Sequence, residues 1–143
     1  VSAPTSPAKP PRVNLRTPDV LAKVQEQVEQ HYRSTLVETI RAAGGVYVAG
    51  DTTIRLAKEF GFCYGVERAI DLAYAARKVF ADKRIFLLGE IIHNPDVNAQ
   101  IGALGIRTFP VRPSTEDLAD LSSEDVVIVP AFGAEVNTVA AVK

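Results

Sequence analysis

From Val20 through Val24, Val28, Tyr32 and Leu36 to Ile40, an apolar side chain recurs every fourth position, and Leu21 and Val37 widen the stripe. A period of this kind predicts a one-sided helix. Thr17-Pro18-Asp19 supplies its start: a hydroxyl to cap, a proline suited to the first turn, and a carboxylate favourable to the dipole. Gly44-Gly45 ends it, and a break is expected near Ser34-Thr35. A second helical pattern, Val66, Ala69, Ile70, Ala73, Ala76 and Phe80, follows further on.

Between and after these patterns lie short apolar and β-branched runs. Val46–Ala49 is one strand candidate, followed by a Gly50-Asp51 turn, and Thr52–Lys58 is another. The run 84–89 is continuously apolar after its arginine, as expected of a strand buried on both faces. A helix is expected over 96–101, ending at Gly102 or Gly105. A strand is expected over 106–111, a helical turn over 116–121, and a second fully buried strand over 125–129. A helix opens at Glu135 and the chain stops inside it. Strands alternating with helices predict the α/β class, with an open, mainly parallel sheet, flanking helices and a long N-terminal helix ahead of it. Three segments are expected: a proline-rich disordered leader over 1–18, a helical extension over 19–50, and an α/β domain over 51–143, truncated at its C-terminus.

The candidate chemistry gathers at the ends of strands. Glu59-Phe60-Gly61-Phe62-Cys63-Tyr64-Gly65 holds the chain's only cysteine between two glycines. The Thr52–Lys58 strand leads into it and a helix leads out. That order puts Cys63 beyond a strand's carboxyl end and near a helix N-terminus, where open α/β sheets place ligands and where negative charge is favoured. The alternative is a small buried thiol in the core. His93, in Glu90-Ile91-Ile92-His93-Asn94-Pro95, lies beyond the end of the 84–89 strand. It is either a turn histidine bonded to backbone or an imidazole able to hold an anion such as a phosphate. Glu90 reads as a strand-end carboxylate satisfied by nearby N–H groups. With the Phe132-Gly133 turn, Cys63 and His93 are expected on one sheet edge. His31 has no second ligand within helical reach and reads as a surface or edge histidine. No phosphate-binding P-loop or G-x-G-x-x-G fingerprint opens a helix.

Composition narrows the function classes. The chain has 143 residues, enough for one domain with a core. A formal net charge of −1 gives no electrostatic case for nucleic acid or an anionic membrane surface. One cysteine rules out an internal disulfide and a self-contained cysteine-rich metal site. No apolar run approaches the roughly 18 residues of a membrane span. The expected compartment is the cytoplasm. Five of the nine prolines and no acidic residue fall within residues 1–18, a composition faintly like the remnant of an organelle transit peptide.

The ordered runs GFCYGVERAI, GEIIHNPDVN and VVIVPAFGAEV resemble the 4-hydroxy-3-methylbut-2-enyl diphosphate reductases. These are the iron–sulfur enzymes of the last step of the methylerythritol phosphate route to isoprenoids. YRSTLVETIRAAGG and TTIRLAKEFGFCYGVERA are similar to the plant and cyanobacterial branch, and the likeness covers roughly residues 30–143. The resemblance implies three pseudo-symmetric α/β domains around a [4Fe–4S] cluster, each supplying one cysteine. On that basis Cys63 matches the first cluster ligand and His93 a histidine that hydrogen-bonds the substrate diphosphate. It also implies reductive dehydroxylation to isopentenyl and dimethylallyl diphosphates, with ferredoxin, flavodoxin or another reductase system as electron donor. A member from a photosynthetic eukaryote would work in the plastid.

The sequence departs from the family at two places. Many bacterial members carry a second diphosphate-binding histidine where this chain has Phe132; the plant-like branch also reads P-A-F-G. The family's other two cysteines, its catalytic glutamate and its remaining substrate contacts have no counterpart here. The chain alone is therefore expected to be inactive, a first domain awaiting the missing domains of its parent. Truncation should expose apolar surface near Phe62, Tyr64 and Phe132. Two alternatives stand beside this reading: a non-catalytic α/β module or subunit completed by a partner chain, and a thiol-dependent enzyme pairing Cys63 with His93.

Overall fold

A computed structural model of the chain describes residues 13–143. The expected leader falls largely on residues 1–12, which lie outside the described residues. Eleven elements follow in order: α1 (Pro18–Tyr32), α2 (Thr35–Ala42), β1 (Val46–Ala49), β2 (Thr52–Arg55), α3 (Tyr64–Val79), β3 (Ile85–Leu88), α4 (Pro95–Ala103), β4 (Ile106–Phe109), α5 (Thr115–Leu118), β5 (Val126–Ile128) and α6 (Val136–Ala141).

The N-terminal apolar stripe forms two helices, broken where Arg33 turns extended (φ −75°, ψ 126°). Pro18 occupies the first turn of α1, but the Thr17 side chain makes no capping hydrogen bond. Ser34 does cap α2, its Oγ accepting from the Val37 N–H at 3.4 Å. α2 ends in a Schellman turn: Gly45 N–H donates to Ile40 O (2.8 Å) and Gly44 N–H to Arg41 O (3.1 Å). Both glycines have positive φ, and the motif requires it at Gly44.

β3 is the centre of a three-stranded parallel sheet, order β4-β3-β5, with Leu87 paired to Thr108 on one side and Ile128 on the other. All four β3 residues are buried, as the apolar run requires of a strand covered on both faces. α3 supplies Ile70, Ala73, Tyr74, Ala75 and Ala76 to the core, α4 supplies Val97 and Ile101, and α1 supplies Val24. Each large aliphatic side chain so buried contributes about 1.5–3 kcal/mol. α1 is held to α3 by polar contact as well: exposed His31 bonds through Nδ1 to the buried Tyr74 hydroxyl at 2.6 Å. Leu15, ahead of α1, also packs on this core.

One expected strand is different. Thr52–Lys58 does not join the parallel sheet. β2 stops at Arg55 and pairs antiparallel with β1 in a separate two-stranded sheet, Ala49 opposite Thr52. Its four residues are all exposed, and a strand so polar cannot occupy a sheet covered on both faces. The two-residue loop Gly50-Asp51, with Gly50 at φ 58°, closes the hairpin. Among the described residues no helix is long and apolar enough to cross a membrane.

Candidate functional site

Parallel strands deliver their carboxyl ends to one edge of the sheet, and the loops after β3 and β5 meet there. β3 gives way to Gly89, whose φ of 96° is a glycine conformation; a side chain there would also meet the Val111 backbone at 3.7 Å. The chain then turns through Glu90–His93 and enters α4. Asn94 caps that helix, its Oδ1 accepting from Asp96 N–H (3.0 Å) and Val97 N–H (3.1 Å). The cap and the buried Ile91 and Ile92 fix the backbone on both sides of His93.

The His93 side chain is 76% exposed. Its Nδ1 lies 2.9 Å from Glu90 Oε2. Its ring lies nearly parallel to Phe132, with centroids 4.9 Å apart and planes at 11°. Phe132 arrives on the loop after β5 and is itself 64% exposed. Glu90, His93, Val111, Pro130, Phe132 and Glu135 line an open cavity of about 410 Å³. At its rim Arg112 Nε donates to Glu135 Oε1 at 2.8 Å. Glu90 is thus not satisfied by backbone N–H groups as expected; its partner is the imidazole. Phe132, assigned no role from its motif, is the other restraint on that ring.

Cys63 is the N-cap residue of α3, in extended backbone (φ −74°, ψ 159°), and its thiol is free and exposed. The buried-thiol alternative is excluded. The approach to it is not a strand of the sheet but the irregular stretch after β2, with Gly61 at φ 124°. That angle requires glycine. Gly65 is different: a Cβ there would stand 3.9 Å from Cys63 Sγ, an ordinary contact. Phe62 is partly buried, its ring edge-on to Tyr32 of α1 at 5.4 Å, so it is not among the exposed aromatics. Tyr64 and Phe132 are exposed, at 70% and 64%.

A second, smaller cavity of about 180 Å³ lies between α3 and the carboxyl edge of the sheet. Gly65 and Arg68 of α3 form one wall, and Ile91, Ile128 and Pro130 the other. Pro130 lines this cavity beside α3 and also the one beside His93. Among the described residues no hydrogen bond joins Cys63 to His93, and His93 Nδ1 is taken by Glu90. That removes the support for cysteine–histidine nucleophilic catalysis, which requires the two within hydrogen-bond reach.

The exposed N-cap thiol, at the positive end of a sixteen-residue helix, suits one metal–thiolate bond. A four-iron cluster needs more donors than this. Among the described residues no group of three or more His, Cys, Asp or Glu side chains could hold a metal ion. The chain's own donor set does not hold such a cluster unaided.

Comparison with known proteins identifies the family. The LytB protein family profile matches residues 54–143, which contain Cys63, Glu90, His93 and Phe132. The chain is 46% identical over 115 residues to the 4-hydroxy-3-methylbut-2-enyl diphosphate reductase of Thermosynechococcus vestitus, covering 80% of this chain and 29% of that protein. It is 45% identical over 116 residues to the reductase of the same name from Nostoc sp. (81% and 29%). It is 44% identical over 126 residues to that of Parasynechococcus marenigrum (88% and 32%). The chain thus spans about a third or less of the length of the curated relatives it matches. No solved structure matches it. With the profile match taking in β3 and both sides of its carboxyl edge, the chain belongs to the LytB protein family.

Proposed function

We propose that this chain forms the first domain of a 4-hydroxy-3-methylbut-2-enyl diphosphate reductase, and that Cys63 and His93 are its contributions to the active centre. The observation that carries the reading is the common edge: an exposed N-cap thiol and an exposed, oriented imidazole stand at the carboxyl edge of the sheet, where Pro130 lines both the cavity beside α3 and the cavity beside His93. An iron and an anion are the ligands that suit those two groups.

In this reading the whole enzyme removes the substrate hydroxyl as water, using two electrons and two protons, and releases isopentenyl or dimethylallyl diphosphate. A [4Fe–4S] cluster would supply the redox chemistry, with ferredoxin, flavodoxin or a comparable donor feeding it. Cys63 provides one of three thiolates, and the other two come from domains outside this chain. His93 donates from Nε2–H, on the nitrogen that Glu90 does not engage, to the diphosphate. Phe132 backs the ring and keeps water from one of its faces. The enzyme works in the cytoplasm of a bacterium or in a plastid. As an isolated polypeptide the chain lacks the donors and the proton relay and is inactive.

The test is a chimera in which this chain replaces the matching segment of the Thermosynechococcus vestitus reductase. The chimera should assemble a cluster, by iron count and absorbance, and reduce the allylic diphosphate. Cys63→Ser should lose the cluster, and His93→Ala should keep it while raising KM. A folded chimera whose Cys63→Ser variant retains cluster and activity would overturn the assignment.

A further inference from the structure

His93 is the middle residue of a three-residue turn. The Asn94 N–H donates back to Ile92 O at 2.9 Å. Among the described residues only glycines have positive φ, so this is the common inverse form of the turn. So tight a ring bends its hydrogen bond, and a bent bond holds a loop weakly. A second donor meets the same carbonyl: Asn98 Nδ2, one turn into α4, donates to Ile92 O at 2.8 Å. The reverse orientation of that amide would set two oxygens against each other. Asn98 is itself carried on the helix, its N–H bonded to Asn94 O at 3.0 Å. The backbone is thus pinned to α4 before His93 by Asn98 and after it by the Asn94 cap. Glu90 and Phe132 restrain the ring beyond Cβ; the direction in which Cβ leaves the chain is set by the two amides. Asn98 carries a cost in this role. Its Oδ1 is buried and has no hydrogen-bond partner among the described residues, and an orphaned acceptor is destabilising. For folding alone an apolar side chain of similar shape would serve as well, since Ile92 O keeps the Asn94 N–H.

We propose that Asn98 is a positioning residue for anion recognition: by holding the Ile92 carbonyl it locks the turn that aims His93 at its ligand. This rests on the reading of His93 as a diphosphate ligand. A neutral amide adds no charge to the site, so what it supplies is geometry. It acts through the backbone and touches neither the ring nor the anion. Removing it leaves every charged group of the site in place and loosens only the turn beneath the imidazole.

The test uses the full chain, titrated with inorganic pyrophosphate at one fixed pH and unfolded in urea. Asn98→Leu keeps the shape of the side chain while removing both the donor and the orphaned oxygen. Its urea midpoint should be no lower than that of the unsubstituted chain. Its dissociation constant for pyrophosphate should rise about tenfold, the scale of one lost orienting hydrogen bond. In a His93→Ala background the same substitution should change binding no further, because the two residues act as one unit. Unchanged binding by Asn98→Leu overturns the proposal. A midpoint that falls together with binding also overturns it, since the amide then serves the fold. Additive losses in the two backgrounds overturn it as well, because Asn98 then does not act through His93. His93→Ala alone separates the two levels. If it leaves pyrophosphate binding unchanged, the reading of His93 fails. If it weakens binding while Asn98→Leu does not, only the role of Asn98 fails.

Discussion

Arg84 and Asp125 clasp each other in a two-point pair across the amino end of the parallel sheet. Arg84 Nε donates to Asp125 Oδ1 at 2.8 Å and Nη2 to Oδ2 at 2.7 Å. The Ser122 N–H and Oγ donate to the same carboxylate at 2.8 and 3.1 Å. The guanidinium, aided by those Ser122 bonds, holds the Asp125 carboxyl down at about 2 against the opposing effect of desolvation.

A pH dependence follows, with its sign. The folded-state value lies below the ordinary aspartate value, so in acid the unfolded chain takes up the proton first. The stabilisation is complete above about pH 4–5 and is lost as pH falls from there toward about 2. Urea midpoints for the unsubstituted chain should therefore drop between pH 6 and pH 3. Asp125→Asn should be less stable at pH 6 and show a shallower acid loss. An unchanged acid slope in the variant would remove Asp125 from the account.

Leu87 is fully buried at the centre of the sheet, flanked by Thr108 and Ile128. Leu87→Ala deletes its packing and leaves a cavity, at a cost of about 2–5 kcal/mol. Chemical denaturation should report the loss as a lower midpoint with an unchanged slope. A loss well under 1 kcal/mol would mean that the sheet is not the core of the fold.

Asn94 accepts from two N–H groups at the start of α4. Asn94→Ala should cost about 1 kcal/mol, and Asn94→Asp, which restores an acceptor, should recover most of it. Equal destabilisation by both would show that capping is not what Asn94 contributes.

The exposed Cys63 thiol should react in the native protein with one equivalent of a disulfide reagent such as DTNB, without denaturant. Cys63→Ser should give none. A thiol that reacts only after unfolding would contradict the exposed N-cap geometry.

Most of the architecture was legible because burial and period coincide. The continuous run at 85–88 could serve only as a strand covered on both faces, and it is the central one. The four-residue stripe from Val20 to Ile40 announced helix, and Ser34 its interruption. Thr52–Arg55 shows where local pattern gives out. β-branched residues favour a strand without naming its partner, although the two-residue Gly50-Asp51 loop already favoured a hairpin over a crossover. The place of Cys63 at a helix start was legible from the turn glycines and the helix period. The restraint on the His93 ring was not. Glu90 is close in sequence, but its contact depends on the path of the loop after Gly89. Phe132 is thirty-nine positions away, and only the adjacency of β3 and β5 brings it there.

The parallel sheet has opposite duties at its two ends. The Arg84–Asp125 clasp that resists acid stands at the amino end, and Cys63, Glu90, His93 and Phe132 stand at the carboxyl end, with buried β3 between them. Sites so separated combine almost additively when substituted. The carboxyl edge can therefore drift or be redesigned with little penalty in robustness, and the clasp can be strengthened to tolerate the losses that changes there bring. For a protein engineer, the chain comes with its stabilising handle already detached from its proposed recognition surface.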